Sequence, residues 1–154
     1  MEDSQEPPLN EALEIDEKLF HASLRISVMV TDSVAKLAAE SPRLRMNYDL
    51  RDSEDEDGQR MLNVLLPGTK SPIHRHTDTS EVVVCIYGSA IERFYDDEGN
   101  ETEVVVMAAG SDCPGGVVEQ GRYHSLEATK EMGVIMEAKA HKYHSFKTED
   151  ILDK

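Results

Sequence analysis

Two histidines and a glutamate stand close together in the middle of the chain. His74 and His76 are one residue apart, and Glu81 follows after four further residues, at the start of the apolar run 82–87. Side chains on a β-strand alternate between two faces, so both imidazoles must point the same way. Neutral imidazole and ionised carboxylate are good ligands for a divalent cation. The spacing predicts a metal site, which His124 in a later strand would complete.

These four side chains offer three nitrogens and one oxygen. They could close a tetrahedral zinc site, or leave two open positions on an octahedral ion. We therefore expect one divalent metal ion, with iron, manganese, nickel, cobalt and zinc all left as alternatives.

Short strand patterns dominate the chain that must position these ligands. Turn signals recur every eight to twelve residues, and Asp97-Glu98-Gly99-Asn100 is a good hairpin signal. This pattern predicts an all-β sandwich or small barrel, without internal repeats. The predicted strands are residues 60–66, 73–76, 82–87, 90–95, 103–107, 116–118 and 132–138, with a turn before His124.

The N-terminal third has a different character. Residues 1–20 carry seven acidic side chains and Pro7-Pro8, which predicts a flexible acidic tail. Residues 24–30 alternate apolar and polar side chains, as in a half-buried strand. Thr31 or Asp32 can then cap a short helix that ends at Ser41-Pro42, because the residue before a proline avoids the helical region.

The central motif resembles a known family. The spacing of glycine, His74, His76, Glu81 and glycine matches the first motif of the cupins, with Gly68 and Gly88 as the two glycines. The region from Gly110 to His124 resembles the second cupin motif, except that Glu119 replaces the proline and Ala128 the asparagine. Residues 41–47, 59–62 and 137–143 look like the WbuC-type cupin-fold metalloproteins, which are often encoded with bacterial surface-polysaccharide genes.

The resemblance covers roughly residues 22–145. It implies a cupin double-stranded β-helix, that is, a jelly-roll barrel, preceded by a short strand and helix. We accordingly expect one cupin domain at residues 21–145 with its barrel core at about 58–140, and a C-terminal tail at 146–154. His74, His76, Glu81 and His124 carry over as metal ligands, and cupin relatives favour a homodimer.

Three arginines are candidates for binding a substrate. Arg43 and Arg45 lie in the stretch that resembles the family's arginine-rich signature, and Arg60 opens a predicted strand. One or two of them could clamp an anionic ligand beside the metal by paired hydrogen bonds. The alternative is that they form salt bridges with the abundant carboxylates.

Three further residues are candidates for proton transfer. Tyr87 shares the strand phase of Glu81, Tyr123 precedes His124, and Glu119 is the unusual residue of the second motif. The tyrosines could equally be buried side chains with hydrogen-bonded hydroxyls, and Glu119 a loop carboxylate.

Charge and composition limit the partners. The net charge is −15, and 16 of the 31 acidic residues lie in residues 1–20, 52–57 and 96–101, which read as tail or loops. Nucleic acid and anionic membranes are poor partners for such a surface. The chain has no apolar stretch of membrane-spanning length, no signal peptide at its start and only two cysteines, so we expect a cytoplasmic protein.

One apolar surface needs a cover. If Glu81 faces the metal, then Val82, Val84 and Ile86 face the other way, where a solvated sheet would normally show polar residues. The N-terminal strand, the helix or a second subunit could cover them, and we expect a homodimer.

The sequence supports two functional hypotheses. The first is a metalloenzyme, such as an isomerase or oxygenase, that acts on a small polar metabolite; the family resemblance makes a sugar-derived one plausible. The second is a non-catalytic module that senses or binds a sugar or carboxylate through its metal. A plainer alternative is a structural metal that stabilises the barrel.

Overall fold

The structure, a computed structural model, describes residues 28–152. The predicted acidic tail at residues 1–20 lies outside the described residues, as does most of the predicted strand at 24–30. Residues 28–30 belong instead to a helix, α1, which spans Val28–Glu40. The strand prediction is wrong for these residues. Val30, Val34 and Ala38 are spaced four residues apart in the sequence, which also fits the helical repeat, and the chain is helical here.

Helix α1 packs on one side of the barrel. Val34 and Ala38 are fully buried against Tyr48, Leu62 and Val64. The helix ends at Ser41-Pro42, as predicted, where the Ser41 amide donates to the carbonyl oxygen of Leu37.

Within residues 28–152, ten strands form two five-stranded sheets in which every pair is antiparallel. The strands are β1 Arg45–Asp49, β2 Gln59–Leu65, β3 Ile73–His74, β4 Glu81–Tyr87, β5 Ser89–Tyr95, β6 Glu101–Ala108, β7 Gly115–Val118, β8 Tyr123–Ala128, β9 Gly133–Lys139 and β10 Ile151–Leu152. The order is β1-β2-β9-β4-β7 in the first sheet and β10-β3-β8-β5-β6 in the second. This arrangement confirms the predicted all-β jelly-roll.

The barrel interior follows the alternation of the strands. Val83 and Cys85 of β4 pack against Ala90, Met107 and Ile135, which come from both sheets. The strands predicted from residue 60 onwards agree with the observed ones to within two residues at each end, whereas β8 was expected only as a turn before His124.

Gly88, in the turn from β4 to β5, cannot be replaced by another residue without strain. Its φ is +61°, and a Cβ atom there would lie 2.0 Å from the carbonyl oxygen of Met132. The turn geometry therefore explains why the second glycine of the central motif stands at residue 88.

The C-terminal segment is part of the barrel. Residues 146–154 were expected as a tail, but β10 pairs with β3, with Ile151 opposite His74. Arg75 Nε donates to Asp150 Oδ1 over 3.0 Å, and this ion pair also holds the residues just before β10 against the barrel. Across residues 28–152, no helix is long and apolar enough to cross a membrane.

Candidate metal centre

Three histidines meet inside the barrel. His74 of β3 and His124 of β8 are cross-strand partners, so their side chains share a face, and His76 lies just beyond the end of β3. Their candidate ligand nitrogens all lie within 4.8 Å of one another. All three side chains are buried. This cluster could hold a metal ion.

Backbone carbonyls orient two of the rings. His74 Nδ1 lies 2.9 Å from the carbonyl oxygen of Pro72, and His124 Nδ1 lies 3.1 Å from that of Arg122. A carbonyl oxygen only accepts, so each Nδ1 must carry the proton and donate it. The lone pair is then on Nε2, the arrangement that a second partner commonly imposes on a metal-binding histidine.

The protonation chemistry also suits a metal. Burial, together with the neighbouring imidazoles, lowers the pKa of His74 well below its usual value. Burial also lowers the pKa of His124, to about 4. His76 Nε2 is also buried and faces the carboxylate of Glu81. Neutral imidazoles, which the lowered pKa values favour for His74 and His124, fit a divalent cation.

Glu81, the first residue of β4, lies beside this cluster. Its Oε2 is 3.2 Å from His76 Nε2, and its Oε1 is 3.9 Å from His124 Nε2. Burial alone would raise the pKa of Glu81, but the approach of His76, His124 and Lys139 lowers it to about 2. Lys139 Nζ lies 3.5 Å from Oε2, so the carboxylate is placed either to bind an ion or to pair with this lysine.

The histidines lie in a cavity of about 90 Å³. Seven polar lining residues were not singled out as site residues from the sequence: Asn47, Gln59, Asn63, Ser71, Glu137, Lys139 and Tyr143. The alternation of side chains between the two faces of a strand could have identified several of these residues from the sequence. Gln59 and Asn63 share the inward face of β2 with Met61 and Leu65, while Arg60 lies on the other face.

Glu137 is the most perturbed acid in this lining. It accepts a hydrogen bond from Gln59 Nε2 over 3.2 Å. Burial raises the pKa of Glu137 to about 8, and the negative charge of Glu81 adds to this effect. Near neutral pH the side chain can therefore hold a proton inside the cavity.

Two of the three predicted arginines line the cavity. Arg43 and Arg45 both do so. The Nη1 of Arg45 donates to Lys70 O over 3.2 Å and to Thr69 Oγ1 over 3.4 Å, while the hydroxyl of Thr69 donates to Arg43 O over 2.6 Å. Thr69 and Lys70 thus help to hold Arg45 beside the cavity.

Arg60 is not part of this site. Its side chain is exposed and pairs with Glu56. The physical reason is the phase of β2, in which Arg60 lies on the same outward face as Leu62 and Val64, whereas Met61 and Asn63 face the cavity.

The three proton-transfer candidates also lie elsewhere. Tyr87 is 58% exposed, because the pairing of β4 with β9 shifts register between Cys85 and Tyr87 and turns it out of phase. Glu119 is exposed in the loop after β7. Tyr123 is buried but faces away from its neighbour His124, against Ile73 and Tyr95, and its hydroxyl donates to Glu149 O over 3.3 Å.

Phe146 is an unpredicted aromatic neighbour of the histidines. Its ring centroid lies 4.2 Å from that of His74 and 5.7 Å from that of His76. Tyr143 also lines the cavity and meets Phe146 edge to face at 6.5 Å. The segment between β9 and β10 therefore covers the histidine cluster. His141 and His144 of the same segment are exposed.

Solved structures share this architecture. The crystal structure of TT1209 from Thermus thermophilus matches with a TM-score of 0.53 and 19% identity, over 66% of this chain and 87% of that one. Oxalate oxidase in complex with the substrate analogue glycolate matches with a TM-score of 0.54 and 18% identity, over 66% of this chain and 53% of that one. CapF with the inhibitor 3-isopropenyl-tropolone matches with a TM-score of 0.51 and 18% identity, over 64% and 28%.

These likenesses show that this chain shares its overall fold with those proteins. The sequence has no significant similarity to any curated protein. Residues 26–107, just over half of the chain, match the model of a family described as a domain of unknown function, DUF6016. That segment contains His74, His76 and Glu81, and the chain belongs to the DUF6016 family.

Proposed function

We propose that this protein is a metalloenzyme that binds one divalent ion and acts on a small, polar, anionic metabolite. One observation carries the proposal: three buried imidazoles meet in a polar cavity, with their candidate ligand nitrogens within 4.8 Å of one another. His74, His76, Glu81 and His124 would hold the ion. The ion would polarise a carbonyl or hydroxyl group, or activate water or dioxygen, as isomerases and oxygenases require.

The charge of the lining supports an anionic ligand. Arg43, Arg45 and Lys139 bring three positive charges to the cavity, and guanidinium groups bind carboxylates in paired geometry. Glu81 offsets one of these charges. Glu137, with its raised pKa, is placed to donate a proton to a ligand or to take one back.

A sugar-derived metabolite linked to surface polysaccharide is the narrower form of the proposal. It rests on the sequence resemblance to the WbuC-type proteins. A sugar acid would match the lining, because it joins a carboxylate for the arginines to hydroxyl groups for Asn47, Gln59 and Asn63.

A non-catalytic binding or sensing module is the second candidate. It is favoured by the positions of Tyr87, Glu119 and Tyr123, none of which lines the histidine cavity. Such a module would use the same metal ligands and the same arginines, but would release its ligand unchanged.

A cytoplasmic homodimer completes the proposal. Helix α1 covers β1 and β2, so it does not cover the outer face of β4, where Val82 and Ile86 are 40% and 37% exposed. Val117, paired with Val82 on β7, is 57% exposed. Light scattering should give twice the chain mass, and Val117→Lys should lower it; a wild-type monomer would contradict this part of the proposal.

The test begins with metal content. Untagged protein, purified from its host without added metal, should carry one divalent ion per chain by plasma mass spectrometry. Glucuronate and glucose are then compared by calorimetry, and we expect only glucuronate to bind. Proton NMR spectra of the protein with glucuronate, recorded in air and without oxygen, separate the two candidates. A new product supports the enzyme, and unchanged glucuronate supports the binding module. Protein that folds without any metal would refute both.

A further inference from the structure

A second cavity lies on the other side of the barrel interior. It has a volume of about 260 Å³ and shares no lining residue with the histidine cavity. It lies between β4 and β7 of the first sheet and β5 and β6 of the second. Most of the lining is apolar: Val83, Phe94, Val105, Met107 and Val118. A buried acid, Glu92, interrupts this apolar lining.

Glu92 is buried without an adequate partner. It is 3% exposed, and its Oε1 has no hydrogen-bond partner in the described part of the chain. Its cross-strand neighbours are Val105 and Leu126, both apolar. Burial holds the pKa of Glu92 well above its usual value, and the charges of Glu81 and Glu137 act in the same direction. A buried polar atom of this kind is unfavourable unless something else binds it.

The wall at β7 leaves the cavity open. Gly116 pairs with the inward-facing Val83, so a side chain at residue 116 would point into the same space. An added Cβ at Gly116 would meet nothing within 4 Å, whereas one at Gly115 would lie 2.3 Å from the carbonyl oxygen of Val83. Gly116 is also exposed, so a small molecule has a route past it.

A charged pair marks the rim. Arg122 Nη2 donates to Glu103 Oε2 over 2.6 Å, and its guanidinium lies 3.9 Å from the centroid of the Phe94 ring. Because Glu103 neutralises this arginine and Glu92 lies deeper inside, the cavity offers little to an anion.

We propose that the cavity beside Glu92, here called the Glu92 cavity, binds a small, mainly apolar molecule that donates a hydrogen bond to Glu92 Oε1. An alcohol or phenol has this chemistry: its apolar part replaces water against Val105 and Met107, and its hydroxyl satisfies the buried acceptor. This inference does not depend on the proposed metal chemistry, because the two cavities have separate linings.

Benzyl alcohol and toluene form a matched pair of probes, since they differ by one hydroxyl group. Methionine methyl groups labelled with ¹³C report the site by NMR. Met107 lines the Glu92 cavity, and Met61, which lines the histidine cavity, is the internal control. We expect a saturable shift of the Met107 methyl with benzyl alcohol, an unchanged Met61 methyl, and a benzyl alcohol affinity about tenfold above that of toluene.

Three variants make the test specific. Gly116→Leu should fill the cavity and abolish the shift, while Val104→Leu, on the exposed outer face of β6, should leave it intact. Glu92→Leu should remove the preference for benzyl alcohol, and Glu92→Gln, which keeps a carbonyl acceptor, should retain it and guards against a folding defect. The proposal is overturned if Met107 shows no saturable shift, if wild type binds toluene equally well, or if Gly116→Leu still binds.

Discussion

His76 Nε2 lies 3.2 Å from Glu81 Oε2, although a four-residue turn separates the two in the chain. The other oxygen of Glu81 lies 3.9 Å from His124 Nε2, which comes from a strand more than forty residues later. One carboxylate thus contacts two imidazoles that come from distant parts of the chain. In His124, the nitrogen that faces Glu81 is the one that the bond from Nδ1 to Arg122 O leaves for a ligand.

Replacing His124 tests this arrangement directly. His124→Ala removes one of three converging imidazoles, so we expect metal content to fall from about one ion per chain to a small fraction, measured by plasma mass spectrometry. Glu81→Gln should lower metal affinity less, because three nitrogens remain. His144→Ala is the matched control, since that ring is exposed and pairs with Asp78. Full occupancy in the His124 variant would remove this residue from the ligand set.

Glu137 should make stability depend on pH. Its folded pKa is about 8, above the usual value of 4.5, so the unfolded chain loses this proton first as the pH rises. The contribution of Glu137 to the free energy of unfolding is therefore fully present below about pH 4.5 and is lost as the pH rises towards 8. The loss is at most about 1.4 kcal/mol per pH unit.

Urea denaturation at pH 5 and pH 8 measures this effect. The loss of unfolding free energy between the two values should be smaller in Glu137→Gln than in wild type. Equal losses in both proteins would show that Glu137 ionises normally.

Strand phase explains what the sequence could predict. The short interval from His74 to Glu81 brings three candidate ligands together, because strand alternation and one turn leave the chain little conformational freedom. His124 was expected to complete the site from a later strand, and the motif resemblance supported this, but its position opposite His74 depends on the long-range pairing of β8 with β3. Tyr87 was misplaced for a physical reason: the register shift after Cys85 breaks the alternation on which its prediction depended.

Other parts of the site depend on contacts that no local pattern reports. Phe146 reaches His74 because β10 pairs with β3, and nothing in the composition of residues 146–152 indicates that pairing. Arg60 was a candidate because arginines bind anions, but its phase on β2 already placed it with Leu62 and Val64. Weighing phase above residue type would have excluded it.

The arginines can be separated by ligand binding. Arg45→Gln should leave metal content unchanged and weaken glucuronate binding about tenfold or more, because a charged hydrogen bond of about 1.5–3 kcal/mol is lost. Arg60→Gln is the matched control, since Arg60 lies outside the cavity and pairs with Glu56. Calorimetry measures both. If wild type and both variants bind glucuronate with equal affinity, Arg45 does not contact the ligand and its role is structural.

Phe146 should control how fast a bound ion leaves. Its ring covers His74 at a centroid distance of 4.2 Å, on a segment fixed by Arg75 and Asp150. Phe146→Ala keeps every candidate ligand, so we expect unchanged metal stoichiometry. Loss of the aromatic cover lets water and chelator reach the histidines, so the rate of metal transfer to excess EDTA should rise severalfold.

Phe146→Leu is the control, since it keeps an apolar cover without the aromatic ring, and its transfer rate should lie close to that of wild type. A colorimetric metal indicator follows the reaction in all three proteins under the same conditions. If Phe146→Ala releases metal no faster than wild type, the ion exchanges by another route, and the segment between β9 and β10 is not the barrier. If the alanine variant also loses stoichiometry, the ring supports the geometry of His74 itself rather than access to it.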